Sequence, residues 1–61
     1  MPYVNVKVAG TLTKEQKAKI AEKMTKVLEE VAGKPPSLTY VVIDEVERED
    51  WAVGGKLLSE K

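Results

Sequence analysis

Two of the side chains from which enzymes most often assemble active sites are missing from this sequence: its 61 residues contain no His and no Cys. No Gly-rich phosphate loop follows a strand pattern, and no acidic residues have metal-ligand spacing. Nucleophilic triads, zinc centres and nucleotide folds are therefore unsupported. What remains is the opening Met1-Pro2. Methionine ahead of a small second residue is normally removed, and its removal would leave Pro2 with a secondary amine. An ordinary α-amino group titrates at about pH 8, and enclosure in an apolar pocket penalises the cation and lowers that value. A base poised near working pH is the most effective kind for moving protons. Pro2 is the expected catalytic residue, acting without metal or cofactor. By itself a Met-Pro start means nothing, and if Met1 stays in place the Pro2 nitrogen is an amide that accepts no proton. The case depends on what surrounds it.

A strand must hold such an amine. From Tyr3 to Val8, Val4, Val6 and Val8 alternate with Tyr3, Asn5 and Lys7, the period of two expected of a strand with one covered face. After the break at Gly10, Thr13 stands three residues before Gln16, a spacing that predicts a capping box and a helix starting near Lys14. Ile20, Met24, Val27, Leu28 and Val31 draw its apolar stripe, with Lys17 and other charged residues on the remainder. Gly33 suits the helix end, and Pro35-Pro36 cannot continue it. The stretch from Leu38 to Val46 reads as a second strand, apolar on both sides at Tyr40-Val41-Val42-Ile43 and so expected to be covered on both faces. The charged positions from Glu45 to Asp50 read as a solvated loop. Gly54-Gly55 fits a tight hairpin turn.

Strand, helix and strand make a βαβ unit with parallel strands in a single α+β domain spanning 1–61. One helix covers one face of a two-stranded sheet, so the other face needs a second chain. A domain this short hides only about 60% of its unfolded surface, and without Cys or His it has no disulfide or structural zinc to compensate. Association is the expected remedy. Ten basic residues cancel ten acidic ones, so no net field draws the chain to nucleic acid or an anionic membrane. With no apolar run of membrane-spanning length and no signal-peptide pattern, a cytoplasmic location is expected.

Met1-Pro2-Tyr3-Val4-Asn5-Val6-Lys7-Val8, Thr13-Lys14-Glu15-Gln16-Lys17, Val41-Val42-Ile43-Asp44-Glu45-Val46 and Trp51-Ala52-Val53-Gly54-Gly55-Lys56 resemble, in order and spacing, successive landmarks of the 4-oxalocrotonate tautomerase family. The resemblance covers essentially the whole chain. It implies a β-α-β protomer with a C-terminal hairpin, assembled as a trimer of dimers with six sites at subunit junctions. It further implies a cofactor-free isomerase in which Pro2 shuttles a proton between an enol oxygen and carbon, with Trp51 as a pocket-lining aromatic. Dicarboxylate-processing members carry arginines at the positions matching Leu12 and Tyr40, and neither is an arginine here. Neither Leu nor Tyr reproduces bidentate carboxylate recognition.

Leu12 therefore suits a substrate whose far end is apolar or aromatic, such as an arylenolpyruvate, and Tyr40 can donate a hydrogen bond to an oxyanion. Trp51 and Tyr40 equally suit packing at an interface. Arg48, the one arginine, and Lys7 are candidate replacement cations. The missing arginines also leave room for a non-catalytic, oligomer-forming member or a structural partner in a mixed hexamer. A dehalogenase or hydratase would need water-activating groups that the sequence does not supply.

Overall fold

A computed structural model describes residues 1–60. The alternating valines form strand β1, Tyr3–Ala9. Helix α1, Lys14–Ala32, begins on the complete capping box: the Gln16 N–H donates to the Thr13 hydroxyl, and the Thr13 N–H donates to the Gln16 side chain. Two of the N–H groups that a helix start leaves without partners are satisfied in this way. The helix stops at Gly33, whose φ of 66° lies in the left-handed region that favours glycine. Strand β2, Tyr40–Val46, pairs in parallel with β1 from Tyr3 opposite Tyr40 to Ala9 opposite Val46. Past a 3₁₀ turn at Arg48–Asp50, strands β3, Ala52–Val53, and β4, Lys56–Leu57, form the hairpin turned by Gly54 and Gly55.

Alternation along the paired strands separates two faces. Val4, Val6, Val8, Val41, Ile43 and Glu45 share the face under the helix, and Tyr3, Asn5, Lys7, Tyr40, Val42 and Asp44 share the other. That second face is bare: Tyr3 is 62% exposed and Tyr40 53%. Under the helix, Ile20 and Leu28 are half-buried, but Val27 and Val31, read from the sequence as part of the covered stripe, stand 50% and 83% exposed. Nineteen residues make a helix of about 28 Å, longer than seven-residue strands that reach about 20 Å, and its last turns cover little of the sheet. Leu38, expected in the second strand, instead ends a 3₁₀ turn at Pro36–Leu38, because Pro36 sets the backbone dihedral that starts the turn.

Among the described residues none is buried. The protomer exposes 4780 Å², whereas a compact monomer of this mass exposes about 3,900 Å². Its radius of gyration is 14.4 Å, against about 10.5 Å for a compact chain of equal length. The excess surface is close to the half-interface of about 800 Å² that each partner contributes in a stable complex. The second strand, expected to be covered on both faces, is covered on one in the protomer. No helix in the described residues is long and apolar enough to cross a membrane.

Candidate active site

Pro2 lies at the N-terminal end of the sheet, half-buried, one residue before β1. Its carbonyl accepts the Tyr40 N–H at 2.9 Å, which extends the parallel ladder by one bond and fixes Pro2 beside the start of β2. Met1 is 78% exposed and holds the Pro2 nitrogen in a peptide bond, so the amine exists only once Met1 has been removed. Tyr40 is thus a backbone neighbour of Pro2. By strand alternation its phenol lies on the bare face, opposite the side that carries Val4 and Val41.

Leu12 and Trp51 belong to the other end. Gly10, with φ of 102°, ends β1 and donates its N–H to the Val46 carbonyl at 3.0 Å, and Leu12 follows two residues later, half-buried. Trp51, also half-buried, comes five residues after the end of β2, and its carbonyl accepts the Leu58 N–H at 2.8 Å. The strands put about 20 Å between Pro2 and this end. Of the four expected site residues, one chain brings Pro2 and Tyr40 together by backbone and leaves Leu12 far from both. A single pocket holding all four requires more than one protomer.

Of the two candidate replacement cations, Lys7 is already engaged. Its ammonium meets Asp44 Oδ2 at 2.9 Å on the bare face, and Asn5 Nδ2 donates to the same oxygen at 2.8 Å. The Asn5 hydrogen bond, followed by the Lys7 hydrogen bond and charge, holds the Asp44 carboxyl below its ordinary value. Arg48 is exposed in the 3₁₀ turn and makes no ion pair among the described residues.

Glu45 departs from its sequence pattern. It is no part of a solvated loop: it sits on β2 and bridges three elements. Its Oε2 accepts the Leu12 N–H at 2.7 Å and its Oε1 meets the Lys17 ammonium at 2.9 Å. Lys17 hydrogen bonding first, and then the Leu12 amide, hold its carboxyl below the usual range. The partners lie 33 and 28 residues away, and no local spacing signals such contacts. A concavity of about 630 Å³ runs along α1 by Ala21, Thr25, Glu29 and Pro36. None of the expected site residues lines it.

The family model described as "Tautomerase enzyme" matches residues 2–61. The chain belongs to the tautomerase family. The probable tautomerase of Bacillus cereus is 46% identical over all of both chains. The 2-hydroxymuconate tautomerase of Bacillus subtilis is 40% identical over 98% of this chain and 97% of its own. A heterohexamer 4-oxalocrotonate tautomerase from Chloroflexus aurantiacus superposes with a TM-score of 0.88 at 25% identity, covering 98% and 97% of the two chains. Both the β-α-β fold with its hairpin and a tautomerase activity follow from this membership.

Proposed function

We propose that this tautomerase isomerises a small 2-oxo or 2-hydroxy-dienoic acid, or an arylenolpyruvate, with the freed amine of Pro2 as the base. The amine takes the proton from the enol hydroxyl as the oxygen becomes a carbonyl. The resulting ammonium returns a proton to carbon, the one next to the enol carbon in an arylenolpyruvate or the far end of the diene in a dienoic acid, so atoms balance and no cofactor takes part. The observation that carries this reading is the position of Pro2: pinned by the Tyr40 amide at the end of a strand, half-buried, behind a methionine that is itself exposed. Partial enclosure disfavours the ammonium and keeps the amine available near neutral pH.

The site is completed between protomers. The absence of any buried residue among the described residues, the bare sheet face and the distance between Pro2 and Leu12 support an oligomer, and the heterohexameric relative supports six chains, which we take to be a homo-oligomer arranged as a trimer of dimers. In that assembly Tyr40 and Trp51 come to the amine from neighbouring chains, and Leu12 meets the far end of the substrate. An apolar group in place of arginine selects a far end without a carboxylate.

Intact mass and a ketonisation assay test the proposal together. Protein lacking Met1 should turn over an arylenolpyruvate enol, and Pro2→Ala should lose about 10²- to 10⁴-fold in kcat, the usual worth of a positioned base. Equal rates would instead favour the second reading, a structural partner in a mixed hexamer, to which Leu12 and Tyr40 in place of arginines already point.

A further inference from the structure

The β1–α1 loop is tied down at each end and in the middle. Gly10 is fixed to the backbone of Val46, and Thr13 is fixed within the capping box of α1. Leu12, between them, is fixed by the carboxylate of Glu45 at 2.7 Å. That carboxylate occupies a position where the helix-facing side of the sheet is otherwise valine and isoleucine. An acidic side chain in such a row is disfavoured by packing alone, and Lys17, half-buried on α1, holds its second oxygen. Both acceptor oxygens are thereby occupied, one by the loop and one by the helix. A charged acceptor also makes a stronger and more directional bond to an amide than a neutral one does.

We propose that Glu45 is a positioning residue for substrate selection: by holding the Leu12 amide, and being held in turn by Lys17, it fixes the direction in which the Leu12 side chain meets the far end of the substrate. The inference rests on the reading in which Leu12 lines the site. The side-chain contacts of Glu45 among the described residues are with the Leu12 amide and the Lys17 ammonium, so its influence passes through the loop. Loss of the carboxylate therefore frees the Leu12 side chain and weakens binding, while the amine that moves the proton is supplied by a neighbouring chain and keeps its ordinary rate.

The test uses the assembled, processed protein and enol phenylpyruvate as probe. Glu45→Ala should raise KM about fivefold with kcat within about twofold, and Glu45→Gln, which keeps an oxygen for the Leu12 amide, should restore KM to within about twofold of wild type. In a Leu12→Ala background the same Glu45→Ala change should alter KM by less than about twofold, because coupled residues are not additive. Hydrogen exchange at the Leu12 amide should quicken about tenfold in Glu45→Ala and stay slow in Glu45→Gln. Should Glu45→Ala fail to fold, Glu45→Leu fills the same row without an acceptor and carries the same expectation. An unchanged KM in a folded Glu45→Ala or Glu45→Leu protein, or additive effects with Leu12→Ala, would overturn the inference while Pro2→Ala remained slow. A Pro2→Ala protein as fast as wild type would overturn the tautomerase reading itself, and the inference with it.

Discussion

The two ends of one short parallel sheet are built differently. At the N-terminal end Pro2 is held by a backbone bond to Tyr40, and among the described residues no side chain hydrogen-bonds to it. At the C-terminal end the loop around Leu12 is fastened by Val46, Glu45 and a capping box, with Lys17 bracing the arrangement from the helix. A base needs the right nitrogen in a partly dry place, and a strand end provides it. Selection needs a side chain aimed within a fraction of an ångström, and the extra fastenings lie at the end where selection is proposed. Seven-residue strands keep the two apart within one chain, so the proposed site needs a second protomer to bring them together.

Dissociating the protomers is the harshest way to break that comparison. Val42→Asp puts a charge in the middle of the bare face, and we expect monomers by native mass spectrometry and a loss of at least about 100-fold in kcat/KM, since interface charges without partners cost several kcal/mol. A monomer with full activity would mean that one chain holds a complete site. Leu12→Arg sharpens the contrast: the ratio of kcat/KM for a dicarboxylate substrate over an arylenolpyruvate should rise by about 10- to 100-fold, the worth of one well-placed ion pair or apolar contact. Parallel steady-state assays on the two substrates read that ratio. Thr13→Ala, which removes a helix cap beside Leu12, should cost about 1 kcal/mol and lower the thermal midpoint by several degrees, with kcat at Pro2 unchanged.

Acid gives the smallest effect. Asp44 and Glu45 have carboxyls held below their ordinary values by Asn5 with Lys7 and by Lys17 with Leu12. Their contribution is complete above about pH 4 to 4.5, where such groups ionise in the unfolded chain. It is lost as pH falls through the depressed folded values. Both groups are exposed to solvent screening, so denaturant midpoints should decline only gently over that window. Lys17→Met should flatten the part due to Glu45.

Much of the fold was legible because its signals are local. Val4, Val6 and Val8 announce β1, Thr13 with Gln16 announces the helix start, and Gly33 and Gly54-Gly55 occupy the left-handed positions that their turns require. The errors came from tertiary facts. Val27 and Val31 fit the helical period, but no sheet lies beneath them in the protomer. Lys17 falls on the charged remainder of the helix and Glu45 among the charged positions that read as a loop, because sequence spacing carries no record of partners about thirty residues away. For the candidate site, Pro2 and Trp51 are named from their resemblance to known landmarks, and Leu12 and Tyr40 from the positions where dicarboxylate-processing members carry arginine. Their division between two ends of the protomer became visible only with the strand register.

The central claim concerns the freed amine of Pro2, and the most direct measurement compares activity with processing. Samples prepared with graded retention of Met1, each quantified by intact mass, should show kcat/KM for an arylenolpyruvate rising in proportion to the fraction of chains that begin at Pro2, and extrapolating to no activity when Met1 is fully retained. Full activity in protein that keeps Met1, where the ring nitrogen is an amide, would contradict the account.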